Sequence, residues 1–261
     1  MKFAIIASKQ DLAGKNIFKH IHENFPELTC YLIKEDSIYA ESIDKKIPGD
    51  FFIFATKHSS KEERKTFSIH APGNFNKADF GGRQGRICKT SAFFLKHLFI
   101  ILNSETKKAN SDYEMTLEVT HHGPYLEKPC CFIEIGTTEE EWQDIKAGEI
   151  ITRTISKAIK TFNQEQAKKE WKVVVGIGSP HYTPNFNKIQ LNSEYAISHI
   201  IPNYVFPINE EMIKEAINKT EEKVSLAILD WKGMRGEERQ QVIKILNNLN
   251  LKYKRTSEIE K

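Results

Sequence analysis

The chain has little of what usually makes a function easy to read. It holds only four cysteines, Cys30, Cys88, Cys130 and Cys131. None forms a C-x-x-C pair, so a zinc knuckle and a thioredoxin-like redox motif lack support. Adjacent Cys130 and Cys131 are poorly placed to bridge each other, and reduced thiols in a cytoplasmic protein are the expectation. No apolar run approaches the roughly 18 residues of a membrane span. The opening MKFAIIASKQ is too briefly apolar for a signal peptide and reads as a buried strand. Charge of one sign is scarce too: 38 Lys and Arg against 35 Asp and Glu leave a net charge of +3. That balance does not by itself imply nucleic-acid binding. GxSxG, Walker A and HExxH motifs are all missing, which argues against the common serine hydrolases, nucleotide hydrolases and zincins. Gly176-x-Gly178 lacks the third glycine of a dinucleotide fingerprint.

What the chain does have is a series of apolar strands. FAIIA (3–7), LTCYLI (28–33), FFIFAT (51–56), CFIEI (131–135), WKVVVGIG (171–178) and SLAILD (225–230) are short and nearly continuous, as strands buried on both faces are. Helical patterns fall between them, at 15–24, 90–103, from the Thr138-x-x-Glu141 capping box onward with a break at Gly148, at 209–218 capped by Asn209, and at 237–249. The expectation is one α/β domain over 1–261, with no repeat and no linker. Residues 57–87 are expected to be irregular, and a long functional loop near 57–89 follows. The segment after Pro180, with Pro184 and three asparagines, and the tail LKYKR are also read as non-regular.

Polar groups gather where the strands stop. In YEMTLEVTHHGP (113–124), Met115, Leu117 and Val119 alternate with Thr116, Glu118 and Thr120, and the run ends in His121-His122-Gly123-Pro124. Period 2 places Glu118 and His122 on one face and His121 on the other. Other strands end in Thr56, His58 and Ser59, in Glu134 and Thr137, and in Ser179 and His181. Several such endings make one polar centre a better account than unrelated caps, since ligands bind at strand carboxyl ends in open α/β sheets. His and carboxylate together bind a divalent metal, or act without one with His as general base on a water; both suit ester or amide hydrolysis. His199, in an apolar context, reads as a satisfied core histidine.

In the loop, His70 stands beside Ala71-Pro72-Gly73, and Gly81, Gly82 and Gly85 interleave with Arg83, Arg86 and Lys89 just before a helix. Helix N-terminal NH groups beside basic side chains suit a phosphate; a solvated basic loop is the equal alternative.

These strings, FAIIASKQDLAGKNI, FATKHSSKEERKTFSIHAPGNF, GGRQGRICKTSA, LEVTHHGP, EIGTTEEEW, VVVGIGSPHYTPNF and DWKGM, spread over nearly the whole length. Through them the chain resembles the archaeal-type D-aminoacyl-tRNA deacylases, which have plant relatives. The resemblance implies a cytoplasmic hydrolase that cleaves the ester between a D-amino acid and the 3′ end of tRNA, with zinc dependence. It also implies a three-layer α/β/α fold with a mixed, mostly parallel sheet, like peptidyl-tRNA hydrolase and the phosphorylases. Its partner is tRNA charged with a D-amino acid, and no membrane is involved. The chain is expected to act as a monomer.

The expected site is then His121, His122 and Glu118 as catalytic groups or zinc ligands, with His58 and His181 as further catalytic candidates. His70, Gly81, Gly82, Arg83, Arg86 and Lys89 are expected to bind substrate. Two other readings stand beside this one: a small-substrate metallohydrolase or phosphorylase on the same fold, and a non-catalytic RNA-binding module. The lack of aromatic stacking motifs weighs against the last.

Overall fold

The computed structural model describes residues 1–60, 64–166 and 170–259. The expected strand Phe3–Ser8 (β1) leads through helix Leu12–Asn24 (α1) to Cys30–Ile33 (β2) and then Phe51–Ser59 (β3). Next come Thr66–His70 (β4), the short pair Gly73–Asn74 (β5) and Arg86–Ile87 (β6), helix Ala92–Lys108 (α2), Glu114–Leu117 (β7) and Cys130–Thr137 (β8). One six-stranded sheet, in the order β2-β1-β3-β8-β4-β7, is built from these strands. Its pairs are parallel except β4 against β8, which is antiparallel.

Helices Glu139–Trp142 (α3) and Ile145–Gln166 (α4) follow, then Lys172–Ser179 (β9), Pro184–Asn192 (α5), Tyr195–Pro202 (β10), Glu210–Asn218 (α6), Leu226–Leu229 (β11), Gly236–Asn248 (α7) and Tyr253–Arg255 (β12). A second sheet, β10-β9-β11-β12, is wholly parallel. The fold is thus α/β with mostly parallel strands, divided between two sheets. Among the described residues no helix is long and apolar enough to cross a membrane.

Residue parity decides what each face of the first sheet does. Odd-numbered side chains (Phe3, Ile5, Phe51, Ile53, Phe67, Ile69, Ile133, Ile135) bury against α1, α2 and α4. Even-numbered ones point the other way. There Ala4, Ile6, Phe52, Phe54 and Phe132 pack under Ala40, Ile43, Tyr125 and Leu126. Further along the same face the even positions turn polar, at Thr56, His58, Ser68, His70, Thr116 and Glu134. Register aligns them: Thr56 pairs with Glu134, Glu134 with Ser68, and Ser68 with Thr116.

The chain beyond β7 stitches the two sheets together. Val119 N donates to the His181 carbonyl at 3.1 Å, and Thr120 N to that of Ile200 at 2.9 Å. The second sheet thereby presents His181 and Tyr182, just past β9, to the polar face of the first.

Four sequence expectations need correction. The irregular 57–87 stretch contains β4, hidden because only its odd residues Phe67 and Ile69 are apolar; residues 61–63 of that stretch lie outside the described residues. The segment after Pro180 contains α5, with Pro184 in the first turn, where its missing NH costs nothing. Gly148 does not break a helix but lies inside α4. A Cβ there would stand 2.5 Å from the Asn16 side chain, which bonds the Trp142 and Asp144 carbonyls, so the glycine allows α1 its close approach. The tail LKYKR supplies β12. His199 is the buried, satisfied histidine expected, between Thr120 Oγ1 at 3.1 Å and the Lys219 carbonyl at 3.3 Å. All four cysteines are free.

Candidate functional site

Five of the nine histidines converge on two buried carboxylates. Glu134, from the centre of β8, is the better satisfied of the two. Its oxygens accept from Ser68 Oγ at 3.0 Å and Thr56 Oγ1 at 3.3 Å, its cross-strand neighbours. His58 Nδ1 lies at 3.4 Å and His70 Nε2 at 3.7 Å. Burial opposes ionisation of Glu134, but the neighbouring His58 and His70 imidazoles outweigh it and hold the carboxyl well below its ordinary value. A lone glutamate inside the apolar run CFIEI was the signal for this residue.

Glu118 follows β7 and is fully buried, yet among the described residues neither of its oxygens has a hydrogen-bond partner. Imidazoles surround it: His58 Nδ1 at 3.2 Å, His181 Nε2 at 3.4 Å, His121 Nε2 at 3.6 Å and His70 Nε2 at 4.0 Å. Burial pushes its pKa up, and the adjacent imidazoles, His58 and His70 by their fields and His181 by its close Nε2, bring it below the ordinary value nonetheless.

The expected division of faces at 118–122 does not hold. β7 ends at Leu117, and His122 takes a left-handed backbone (φ 44°), so period 2 no longer applies. His121 consequently turns to the same side as Glu118, and His122 packs with His70 and His121. These three rings share an arrangement. Each places Nδ1 on a backbone carbonyl: His70 on Ala71 at 3.3 Å, His121 on Val119 at 2.9 Å, His122 on Gly123 at 2.6 Å. A carbonyl only accepts, so Nδ1 carries the proton and each Nε2 lone pair is directed elsewhere. Burial and the neighbouring imidazoles hold His121 well below 6.5, and burial with the field of His70 lowers His122 to about 4. His70 is the exception: burial lowers it, but the Glu134 carboxylate raises it overall.

Donor groups from His70, His121 and His122 come within 4.8 Å of one another, as do those of His58, Glu118 and His181, and those of His70, Glu118 and Glu134. The Nε2 lone pairs of neutral His121 and His122 cannot donate to Glu118, which accepts no hydrogen bond among the described residues, and this part of the centre is left electrostatically unresolved. A divalent cation resolves it, and imidazole with carboxylate is a donor set that zinc accepts. The residues fit the metal that the sequence resemblance implies.

Two cavities share His121 in their walls. One of about 390 Å³ is lined by His58, His121, His122, His181 and Glu134, with Asp11, Asp36 and Phe80 at its other walls. The second, of about 560 Å³, runs from His121 and Thr120 past Asn74, Asn76 and Gln84 to Tyr204. Phe80 and Tyr204 are 66% and 58% exposed, which is unusual for aromatics and puts both rings at cavity rims. Neither was singled out in the sequence, where no local pattern distinguishes them.

The basic loop lies apart from the imidazoles. Arg83 stacks on Tyr125 at 4.4 Å, Arg86 Nε is 3.5 Å from Glu215, and Lys89 is exposed. The expected phosphate seat at the start of α2 is already filled: the Glu222 carboxylate accepts from Ala92 N at 2.9 Å, Phe93 N at 3.2 Å and the Ser91 hydroxyl. Gly81 and Gly82 have positive φ, and a Cβ on Gly81 would overlap the Ile38 carbonyl. The Gly82 NH is spent on Glu41 at 2.7 Å. Both glycines serve the close crossing that holds Phe80 at the cavity wall.

Comparison with known proteins gives a consistent answer. The sequence model of the D-aminoacyl-tRNA deacylase family matches residues 46–254. A D-aminoacyl-tRNA deacylase of Pyrococcus furiosus is 33% identical, over 95% of this chain and 98% of its own. One from Methanocaldococcus jannaschii is 32% identical, over 98% and 100%. A crystal structure described as a conserved protein of unknown function superimposes with a TM-score of 0.88 at 30% identity, over 99% of this chain and 96% of the other. The chain belongs to the D-aminoacyl-tRNA deacylase family.

Proposed function

We propose that this protein hydrolyses the ester bond of D-aminoacyl-tRNA, releasing the D-amino acid and tRNA. One observation carries the mechanism: a buried carboxylate, Glu118, without a hydrogen-bond partner and ringed by imidazoles at a cavity. His181 is the general base. Its side chain is 36% exposed, so water reaches it, and Glu118 behind its Nε2 orients the ring and stabilises the imidazolium. The water gives a proton to His181 and its oxygen to the ester carbonyl carbon. The 3′ oxygen of the ribose then leaves and takes that proton back. His58, with Nδ1 3.2 and 3.4 Å from the two carboxylates and Nε2 2.8 Å from the Tyr182 hydroxyl, has both nitrogens engaged and acts through its field on Glu118 rather than on the substrate.

His70, His121 and His122 would hold a zinc ion through Nε2, with Glu118 neutralising charge beside them. Bound there, zinc supplies Lewis-acid polarisation of a carbonyl or acidification of a water. Arg83, Arg86 and Lys89 would meet tRNA phosphates from outside the cavities. Every group invoked comes from one chain, so a monomer in the cytoplasm suffices.

The test compares hydrolysis of D-tyrosyl- and L-tyrosyl-tRNA, with and without a strong chelator. Rapid loss of the D-ester alone, abolished by chelation and restored by zinc, is expected. Equal cleavage of simple amino-acid esters would favour the small-substrate hydrolase, and no cleavage of either tRNA ester by zinc-replete protein would end the reading.

A further inference from the structure

The two cavities at His121 differ in chemistry, and the difference indicates which part of the substrate each takes. The smaller is walled by three carboxylates, Asp11, Asp36 and Glu134, against one lysine, Lys57, together with Ile38 and Phe80. An aminoacyl ester carries one cationic group, its α-ammonium, and this is the carboxylate-rich side. The larger carries three neutral amides, Asn74, Asn76 and Gln84, among apolar residues such as Phe75, Pro202 and Val205, with the Lys77 and Asp79 charges balancing and the Tyr204 ring at its rim. Its volume of about 560 Å³ falls within the range of about 300–1,000 Å³ for ligand sites. Side-chain amides offer paired donors and acceptors to a base edge, and unpaired RNA ends are read by stacking on aromatic rings.

The Tyr204 platform is fixed in place. Its backbone lies in the short turn Asn203–Val205. Asn76 Nδ2 donates to the Val205 carbonyl at 3.3 Å, and Asn203 Nδ2 to that of Gly233 at 3.3 Å. Tyr204 as a residue is 58% exposed, so aromatic surface on a well-tethered turn is left to a ligand.

Resting on the deacylase reading, we infer that the larger cavity receives the 3′-terminal nucleoside of the tRNA, with its base stacked on Tyr204. The aminoacyl group crosses His121 into the smaller cavity, and the scissile ester lies between the two.

The experiment measures binding of uncharged minihelix RNA ending in CCA, and of the same RNA with an abasic 3′-terminal residue, to wild type, Tyr204→Ala and Tyr204→Phe. Wild type and Tyr204→Phe should bind the intact end about fivefold or more tightly than the abasic one, the low end for one base stacked on an aromatic ring. Tyr204→Ala should lose most of that preference while binding the abasic RNA as wild type does. A wild type indifferent to the terminal base, or a Tyr204→Ala variant that keeps the full preference, overturns the assignment. Hydrolysis of D-tyrosyl-tRNA by the same preparations is scored separately. Hydrolysis without base preference refutes the nucleoside seat alone. Base preference through Tyr204 without hydrolysis of either ester supports the seat and refutes the deacylase reading.

Discussion

His58 Nδ1 lies 3.2 Å from Glu118 Oε1, although 60 residues and a change of strand direction separate them. The same nitrogen is 3.4 Å from Glu134 Oε2, so one imidazole joins two carboxylates with different duties. Glu134 accepts hydrogen bonds from the Ser68 and Thr56 hydroxyls, whereas Glu118 accepts none among the described residues and has only imidazoles around it. Glu134→Ala should therefore cost roughly 3–5 kcal/mol of stability, since it strands buried partners. Glu118→Gln should lose less stability but slow hydrolysis of D-tyrosyl-tRNA by about 10²-fold or more. Urea denaturation beside initial rates separates the two; equal losses of stability would contradict the division.

The sequence showed the ingredients of this centre better than its construction. Strand termini do supply it, and the clustered polar ends of 56–60, 118–122 and 179–181 were visible. What could not be seen was the antiparallel placement of β4 between β8 and β7. That reversal puts His70 and Ser68 opposite Phe132 and Glu134, on a face of the sheet rather than along one edge. Alternation failed at His122 because a positive φ lies beyond any period-2 argument. β4 itself was missed because a strand that lends its even positions to a site looks polar. Tyr204 and Phe80 owe their place to loops that meet only in three dimensions.

Zinc binding should be measurable without any turnover. If His70, His121 and His122 hold the ion, zinc at about 100 times its Kd stabilises the fold by about 2.7 kcal/mol. For a chain of this size that is about 5–10 °C in Tm. His122→Ala should abolish the shift by calorimetry, and His22→Ala, an exposed histidine of α1, should keep it. A full zinc shift in His122→Ala would remove His122 from the ligand set.

Arg83 and Arg86 converge on Tyr125 with Lys219, whose Nζ is 3.1 Å from the Tyr125 hydroxyl. This is an exposed cationic patch outside both cavities. Replacing both arginines by alanine should weaken tRNA binding without changing the D over L preference. It should also reduce the slope of log K against log salt by about 0.7–0.9 for each phosphate no longer neutralised. An unchanged slope would return these residues to the role of a solvated loop.

His199 gives the fold an acid-sensitive point away from the proposed ligands. Burial lowers its pKa from 6.5 to about 4, as the ring sits between the Thr120 hydroxyl and the Lys219 carbonyl. A histidine with a depressed folded-state pKa is protonated more readily once unfolded. Its contribution is therefore intact above pH 6.5 and declines as the pH falls towards 4. Between pH 7.5 and 5 the loss is about 2 kcal/mol, taking about 1.36 kcal/mol for each pH unit. Glutamine can donate to the Lys219 carbonyl and accept from the Thr120 hydroxyl but does not titrate. His199→Gln should accordingly remove about 2 kcal/mol of the acid-dependent loss, measured by urea denaturation at pH 7.5, 6 and 5. His121 and His122, whose pKa values are also depressed, add to the remaining slope, while Asp11, pushed up to about 6 by burial, and His70, raised by Glu134, offset it. An acid limb identical in the two proteins would show that His199 is protonated without cost to the fold.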